Sequence, residues 1–254
     1  MYENVCYKTP FLKEVIFQID FPSPLEGIEK QLPNKLTKAI LEKFPISEPQ
    51  KTHAQEFQFA GPNFQSKTSE IMQWVFHGEN RKKSLTIEPT SFVILVRDYK
   101  SYEDFIEDFN HILTVLFNEN KDITAGRVGL RYVNLIDLNE PEPLEWKKHV
   151  NEQILGIIDF HEEKQFLTRI FHIVEYNFDG LSVKYQFGIA NSDYPAQIKK
   201  KQFVLDIDAY SHGAFDYGDI LNCVEDAHVK IQDIFERSIT DETRQLMKQK
   251  NDVQ

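Results

Sequence analysis

Apolar residues recur along this chain at two spacings, every second position in some stretches and every third or fourth in others, and each spacing predicts an element. Alternation predicts a strand over 13–21 (KEVIFQIDF) and further strands near 54–60, 70–78, 84–88 and 91–98, which are rich in Phe, Ile, Val and Thr and separated by turn residues. Behind the first strand runs a helical stripe of Leu25, Ile28, Leu32, Leu36, Ile40 and Phe44. Ser23-Pro24 opens it and Pro33 is expected to kink or split it. After Ser101, Tyr102, Phe105, Ile106, Phe109, Ile112, Leu113 and Leu116 again fall at helical spacing. Glu103, Asp104, Glu107 and Asp108 crowd the first turns, where the helix dipole favours anions.

The second half runs in the same order: a strand over 127–138, a helix over 144–157, strands near 166–178, 181–190 and 202–210, and a long helix from about 219. The likeness extends to letters. DYKSYEDFIEDFNHILTVLF at 98–117 parallels DYGDILNCVEDAHVKIQDIF at 216–235, EVIFQIDF at 14–21 parallels RYVNLIDL at 131–138, and LTIEPTSF parallels LDIDAYSH. We therefore expect an internal duplication, with one α+β repeat over 1–122 and a second over 123–254, packed as one body. Each repeat is a strand, a helix, three or four strands and a helix. A helix stripe and a half-buried sheet each need an apolar partner, so the expectation is an antiparallel sheet with helices on one face. That order is similar to the helix-grip and TBP-like folds, a likeness of topology that carries no function.

Composition narrows the function classes. The chain has 254 residues, 41% of them hydrophobic, which is enough for a substantial core. No apolar run approaches the roughly 20 residues of a membrane-spanning helix, and the start, MYENVCYKTPFLKE, lacks the pattern of a secretory signal, so a cytoplasmic protein is expected. A net charge of −11 and a pI near 5.2 repel phosphate backbones and disfavour nucleic acid as a partner. Cys6 and Cys223 stand far apart in no metal spacing, and Cys223 reads as a small hydrophobe on a helix flank.

The common signatures of phosphate cradles, zinc sites, metalloproteases and serine hydrolases do not occur, and no two histidines form a helical i, i+4 pair. No catalytic residue, metal ligand or cofactor is predicted. His212, near Asp208 and Asp216, reads as part of a polar connection, and Lys199-Lys200-Lys201 as a solvated guard ahead of an apolar strand. The informative stretch is GRVGLRYVNLIDL, 126–138. On one face Val128, Leu130, Tyr132, Asn134, Ile136 and Leu138 belong under the helices, with Asn134 as a hydrogen-bonded core residue. On the other stand Arg127 and Arg131, and a later strand presents Asp206 and Asp208 on a single face. Two readings stand side by side: the arginines tie the two halves through Glu14, Asp206 and Asp208, or this face is a concave binding surface. Near the end, Thr240 is placed to cap a short helix, and Phe235, Ile239, Leu246 and Met247 are expected to pack it onto the body or a second subunit.

Four patches, YKTPFLKEVIFQIDF, GRVGLRYVNLID, LDIDAY and FERSITDETRQLMK, resemble a sporadically distributed, functionally uncharacterised family of prokaryotic proteins of about this length. The RxGLRYxN and FxxxITDxxRxxM patches carry most of the likeness. It implies an intracellular bacterial or archaeal protein with no catalytic residues to carry over, and a patchy inheritance of the kind associated with mobile or defence cassettes. Together these observations favour a non-enzymatic binding or assembly protein that acts on a protein partner or on itself, in a defence or toxin-neutralising setting. A small-ligand receptor with a cavity between helix and sheet is the first alternative, and an enzyme of unrecognised type the second.

Overall fold

The computed structural model describes residues 5–60 and 63–248, and only the backbone over 52–60 and 63–71. The first half contains β1 (Leu12–Asp20), α1 (Asn34–Lys43), β2 (Ile46–Ser47), β3 (Gln50–Ala60), β4 (Asn63–His77), β5 (Lys83–Glu88), β6 (Ser91–Val96) and α2 (Tyr102–Glu119). The second contains β7 (Ala125–Leu138), α3 (Glu152–Phe160), β8 (Ile170–Phe178), β9 (Leu181–Ile189), β10 (Lys201–Phe215), α4 (Tyr217–Ser238) and α5 (Asp241–Met247). Every strand joins one open antiparallel sheet in the order β2-β4-β5-β6-β1-β7-β10-β9-β8, with β3 folded back on β4 as a hairpin.

The order mirrors about the β1–β7 junction. Outward on one side lie β6, β5 and β4, and on the other β10, β9 and β8. The letter alignment that sets Glu14 on Arg131 also sets Val15 on Tyr132, and those two residues are register partners across the junction. The alignment of LTIEPTSF with LDIDAYSH does not survive, because the first covers β5 and its turn while the second lies in β10, whose counterpart in the mirrored order is β6.

Strand alternation places one row of each strand in the core: Val15, Phe17 and Ile19 of β1, Leu85 and Ile87 of β5, Leu130, Tyr132 and Ile136 of β7, and Phe203, Leu205 and Ile207 of β10 are all buried. Onto this face α2 lays Phe109, whose ring stacks on Phe17 at 4.5 Å, and α4 packs against β7, β9 and β10. Each such buried ring contributes about 1.5–3 kcal/mol of apolar burial. Both helices start where the sequence holds a cap. The Ser101 side chain accepts from the Asp104 amide, and Asp216 and Asp219 form a reciprocal capping box. Among the described residues no helix is long and apolar enough to cross a membrane.

Two helices are shorter than the stripe predicts. Residues 26–30 form turns and the helix begins only at Asn34, because Pro33 stands at the boundary. Leu25, Ile28 and Leu32 are buried from non-helical backbone. Likewise 144–149 turns around the buried Trp146, and α3 starts at Glu152, where Asn151 caps by accepting from the Gln153 amide. The strand placed near 166 begins at Ile170, after a single 3-10 turn. In the first two cases buried apolar side chains are delivered from turns rather than helix, whereas Phe166 in the 3-10 turn stays exposed.

The ends of the described chain clasp each other. Amides of Lys8 and Thr9 donate to the carbonyls of Lys248 and Met247. Thr240 caps α5, and Ile239 and Met247 are buried as expected, while Leu246 faces solvent. The clasp is ionic as well as apolar: Glu236, almost fully buried, accepts from Tyr7 Oη at 2.7 Å and pairs with Arg244 Nε at 2.9 Å.

Candidate functional site

On the polar face of β7, Gly129 lies between Arg127 and Arg131. Because it has no side chain, the Arg127 guanidinium lies flat across it, over the Tyr210 ring of β10 at 4.8 Å. From there Arg127 reaches Asp20 of β1 and Asp208 of β10, each at 3.7 Å. Two residues along, Arg131 makes a bidentate pair with Asp206, Nε to Oδ1 at 2.8 Å and Nη2 to Oδ2 at 2.6 Å. Asp206 is nearly buried beneath the half-exposed guanidinium.

This geometry divides the four residues singled out by sequence. Arg127 does bridge the halves, from Asp20 in the first to Asp208 in the second. Arg131 does not, since its partner Asp206 belongs to the same half, and Glu14 pairs instead with Arg97 at 3.0 Å. The cross-half tie expected of Arg131 is therefore corrected: a diagonal reach along the ladder brings Asp206 to it rather than its register partner Asp208. Asp208 is left with the poorer contact, and burial raises its carboxyl above the ordinary range against the pull of Arg127 and Arg131. The guanidinium of Arg131 is held charged chiefly by its hydrogen bonds to Asp206. Asn134 is buried and donates to the Leu205 carbonyl, a core residue as read from sequence.

One further polar residue differs from expectation. Lys201, expected in solvent, is buried on the helix side of β10, where it meets Glu140 at 2.8 Å and the Trp146 ring. His149, also buried, shares Glu140 at 3.0 Å. The register explains Lys201, since its partner Leu138 lies on the core face and the lysine must follow it. Among the described residues no group of three or more His, Cys, Asp or Glu is placed to hold a metal ion.

The feature that sequence reasoning missed is the edge of the sheet. Among the described residues β8 pairs with β9 alone, whereas its mirror counterpart β4 is covered by β2 and β3. Its sequence, IFHIVEYNF, holds one charge and neither lysine nor proline, the usual guards of an exposed edge. Phe171 and Ile173 stand out on one face, Tyr176 and Phe178 on the other. Of the ten large apolar side chains exposed among the described residues, eight fall between Ile157 and Tyr194, on β8, on the segment leading to it and, for Tyr194, in the connection from β9 to β10. Phe160 and Phe166 are the most exposed, at 75% and 63%. Gly188 of β9 fixes the approach of the two strands, because with φ at +140° any Cβ there would lie 2.3 Å from the Ile170 carbonyl oxygen. The signal was present in the sequence as a nine-residue apolar strand without a guard; what sequence could not supply was its position at the end of the sheet.

Compared with known proteins, the chain matches no family model and no curated protein.

Proposed function

We propose that this protein is a non-enzymatic binding and assembly module built from two copies of a helix-grip or TBP-like unit, and that it takes up an extended segment of a protein partner along β8. The observation that carries this reading is the uncovered edge strand with its exposed apolar surround. A row of unpaired backbone donors and acceptors selects another strand, since only a strand matches their spacing, and the side chains beside it reward an apolar sequence. An edge of this length with no guard is an aggregation site unless something covers it. The mirrored strand order and the Val15–Tyr132 pairing at its centre support the two-copy reading. On this account the ion-paired face of β7 and β10 is architecture: its arginines and carboxylates already engage one another, which leaves little charge to offer a ligand.

The test is purification of the tagged chain from its native host, with and without Phe171→Lys and Ile173→Lys together. These side chains are exposed, so the fold is retained, and like charges along the edge oppose strand addition. The unsubstituted chain is expected to carry a protein in fixed stoichiometry, lost from the double variant and kept by Arg131→Ala. A partner retained by the double variant, or none on the unsubstituted chain, contradicts the proposal.

A further inference from the structure

Away from the edge, where α4 crosses the core face of β7 beside the N-terminal segment, the fold leaves a cavity of about 90 Å³. Its polar lining holds Tyr7, Asn134, Gln232 and Glu236 and, beside them, a continuous chain of hydrogen bonds. Tyr99 Oη meets Tyr132 Oη at 2.8 Å, and Tyr132 Oη meets His228 Nδ1 at 3.0 Å. The Tyr102 ring lies flat on His228, 4.0 Å between centroids, and fixes the imidazole plane. The rest of the lining includes Leu12, Ile231 and Phe235, and exposed Lys100 and Glu103 mark the mouth.

A chain of this kind can run in either direction. If Tyr132 donates to His228, Tyr99 donates to Tyr132 and its own oxygen is left as an acceptor. If His228 donates, Tyr132 donates to Tyr99 and the Tyr99 hydroxyl hydrogen is left to give. The end of the chain therefore serves a ligand oxygen that donates or one that only accepts. Inside the mouth the lining also presents Glu236, whose carboxylate is already engaged by Tyr7 Oη and Arg244 Nε. Burial keeps the protons on Tyr99 and Tyr132, and it holds the His228 imidazole toward its neutral form although Glu225 and Glu103 pull the other way. A ligand cation placed here would lose its solvation as the imidazolium does and would find Glu236 already engaged by Tyr7 and Arg244, and a ligand carboxylate would find Arg244 already engaged by Glu236.

We propose that this cavity is a binding site for a small uncharged molecule that carries one hydroxyl or carbonyl oxygen on a short apolar body. The oxygen takes the end of the Tyr99–Tyr132–His228 chain and the body lies against Leu12, Ile231 and Phe235. Its volume is about three times the roughly 30 Å³ that one water occupies in the liquid and below the ~150 Å³ that admits benzene, which limits the body to about four carbons. The site is independent of the β8 edge.

The full-length chain is titrated with 1-butanol, butylammonium and butyrate, binding being followed by ligand-observed NMR. 1-Butanol is expected to saturate at millimolar concentration and to bind at least about tenfold (~1.4 kcal/mol) more tightly than either charged analogue. Tyr132→Phe keeps the ring, removes the middle of the hydrogen-bond chain and is expected to weaken 1-butanol several-fold. Should that variant fail to fold, Tyr99→Phe reads the same loss from the end of the chain. Absence of saturable 1-butanol binding, equal binding of all three compounds, or undiminished binding in the folded phenylalanine variant overturns the proposal.

Discussion

Arg131 and Asp208 show how two charged residues on one sheet face come to opposite energetic positions. Arg131 satisfies a nearly buried carboxylate with two short hydrogen bonds, so Arg131→Ala leaves Asp206 desolvated and alone. The half-exposed guanidinium moderates the loss, which we expect to be about 1.5–3 kcal/mol in a urea unfolding midpoint. Asp208 is the converse case. Its folded carboxyl titrates above its unfolded value, so it is a favourable partner only while protonated, and its contribution is lost as pH rises through the folded value. Asp208→Asn is therefore expected to match the parent at acidic pH and to be neutral or more stable, by up to about 1 kcal/mol, at neutral pH. Loss of stability at neutral pH would mean that the 3.7 Å contact with Arg127 outweighs the desolvation. Both residues were legible in the sequence as charges facing out, each from its own strand. Their partners were not, because alternation assigns a face and leaves open which diagonal neighbour a long side chain reaches.

At the scale of elements, the apolar stripe was a better guide to burial than to backbone. Leu25, Ile28 and Leu32 reach the core as the spacing requires, yet from turns, since Pro33 denies them a continuous helix. The long helices were legible throughout because caps, stripe and first-turn acids agree in α2 and α4. The C-terminal clasp was half legible: the Thr240 cap and the buried Met247 follow from local pattern, whereas Glu236 and its link to Tyr7 join opposite ends of the chain and leave no local signal. That link makes α5 structural. Arg244→Ala removes the one cation that Glu236 meets in the core and is expected to lower stability by about 3–5 kcal/mol. Glu236→Gln, which keeps hydrogen-bonding atoms and removes the buried charge, is expected to cost less. The pair of variants, compared by thermal unfolding, checks whether burial of the charge sets the cost.

For the whole molecule, the sequence shows a repeated order of elements and repeated letters, and the strand order of the sheet mirrors about the β1–β7 junction. The mirror is incomplete in a way no letter predicts. One end of the sheet is wrapped by β2 and β3, and the other ends in β8 with its backbone groups and aromatic side chains uncovered. On our account that asymmetry is the function, with the closed end completing the fold and the open end receiving a partner's strand. Site-specific photo-crosslinking in the native host tests this most directly, with a benzophenone side chain placed in turn at Phe171, Ile173 and Tyr176, and at the control positions Leu135 on the ion-paired face and His111 on α2. The account predicts a discrete protein adduct from the β8 positions and none from the controls, and an adduct of twice the chain's mass would identify the partner strand as that of a second copy. Adducts from Leu135 or His111 with none from β8 would contradict it.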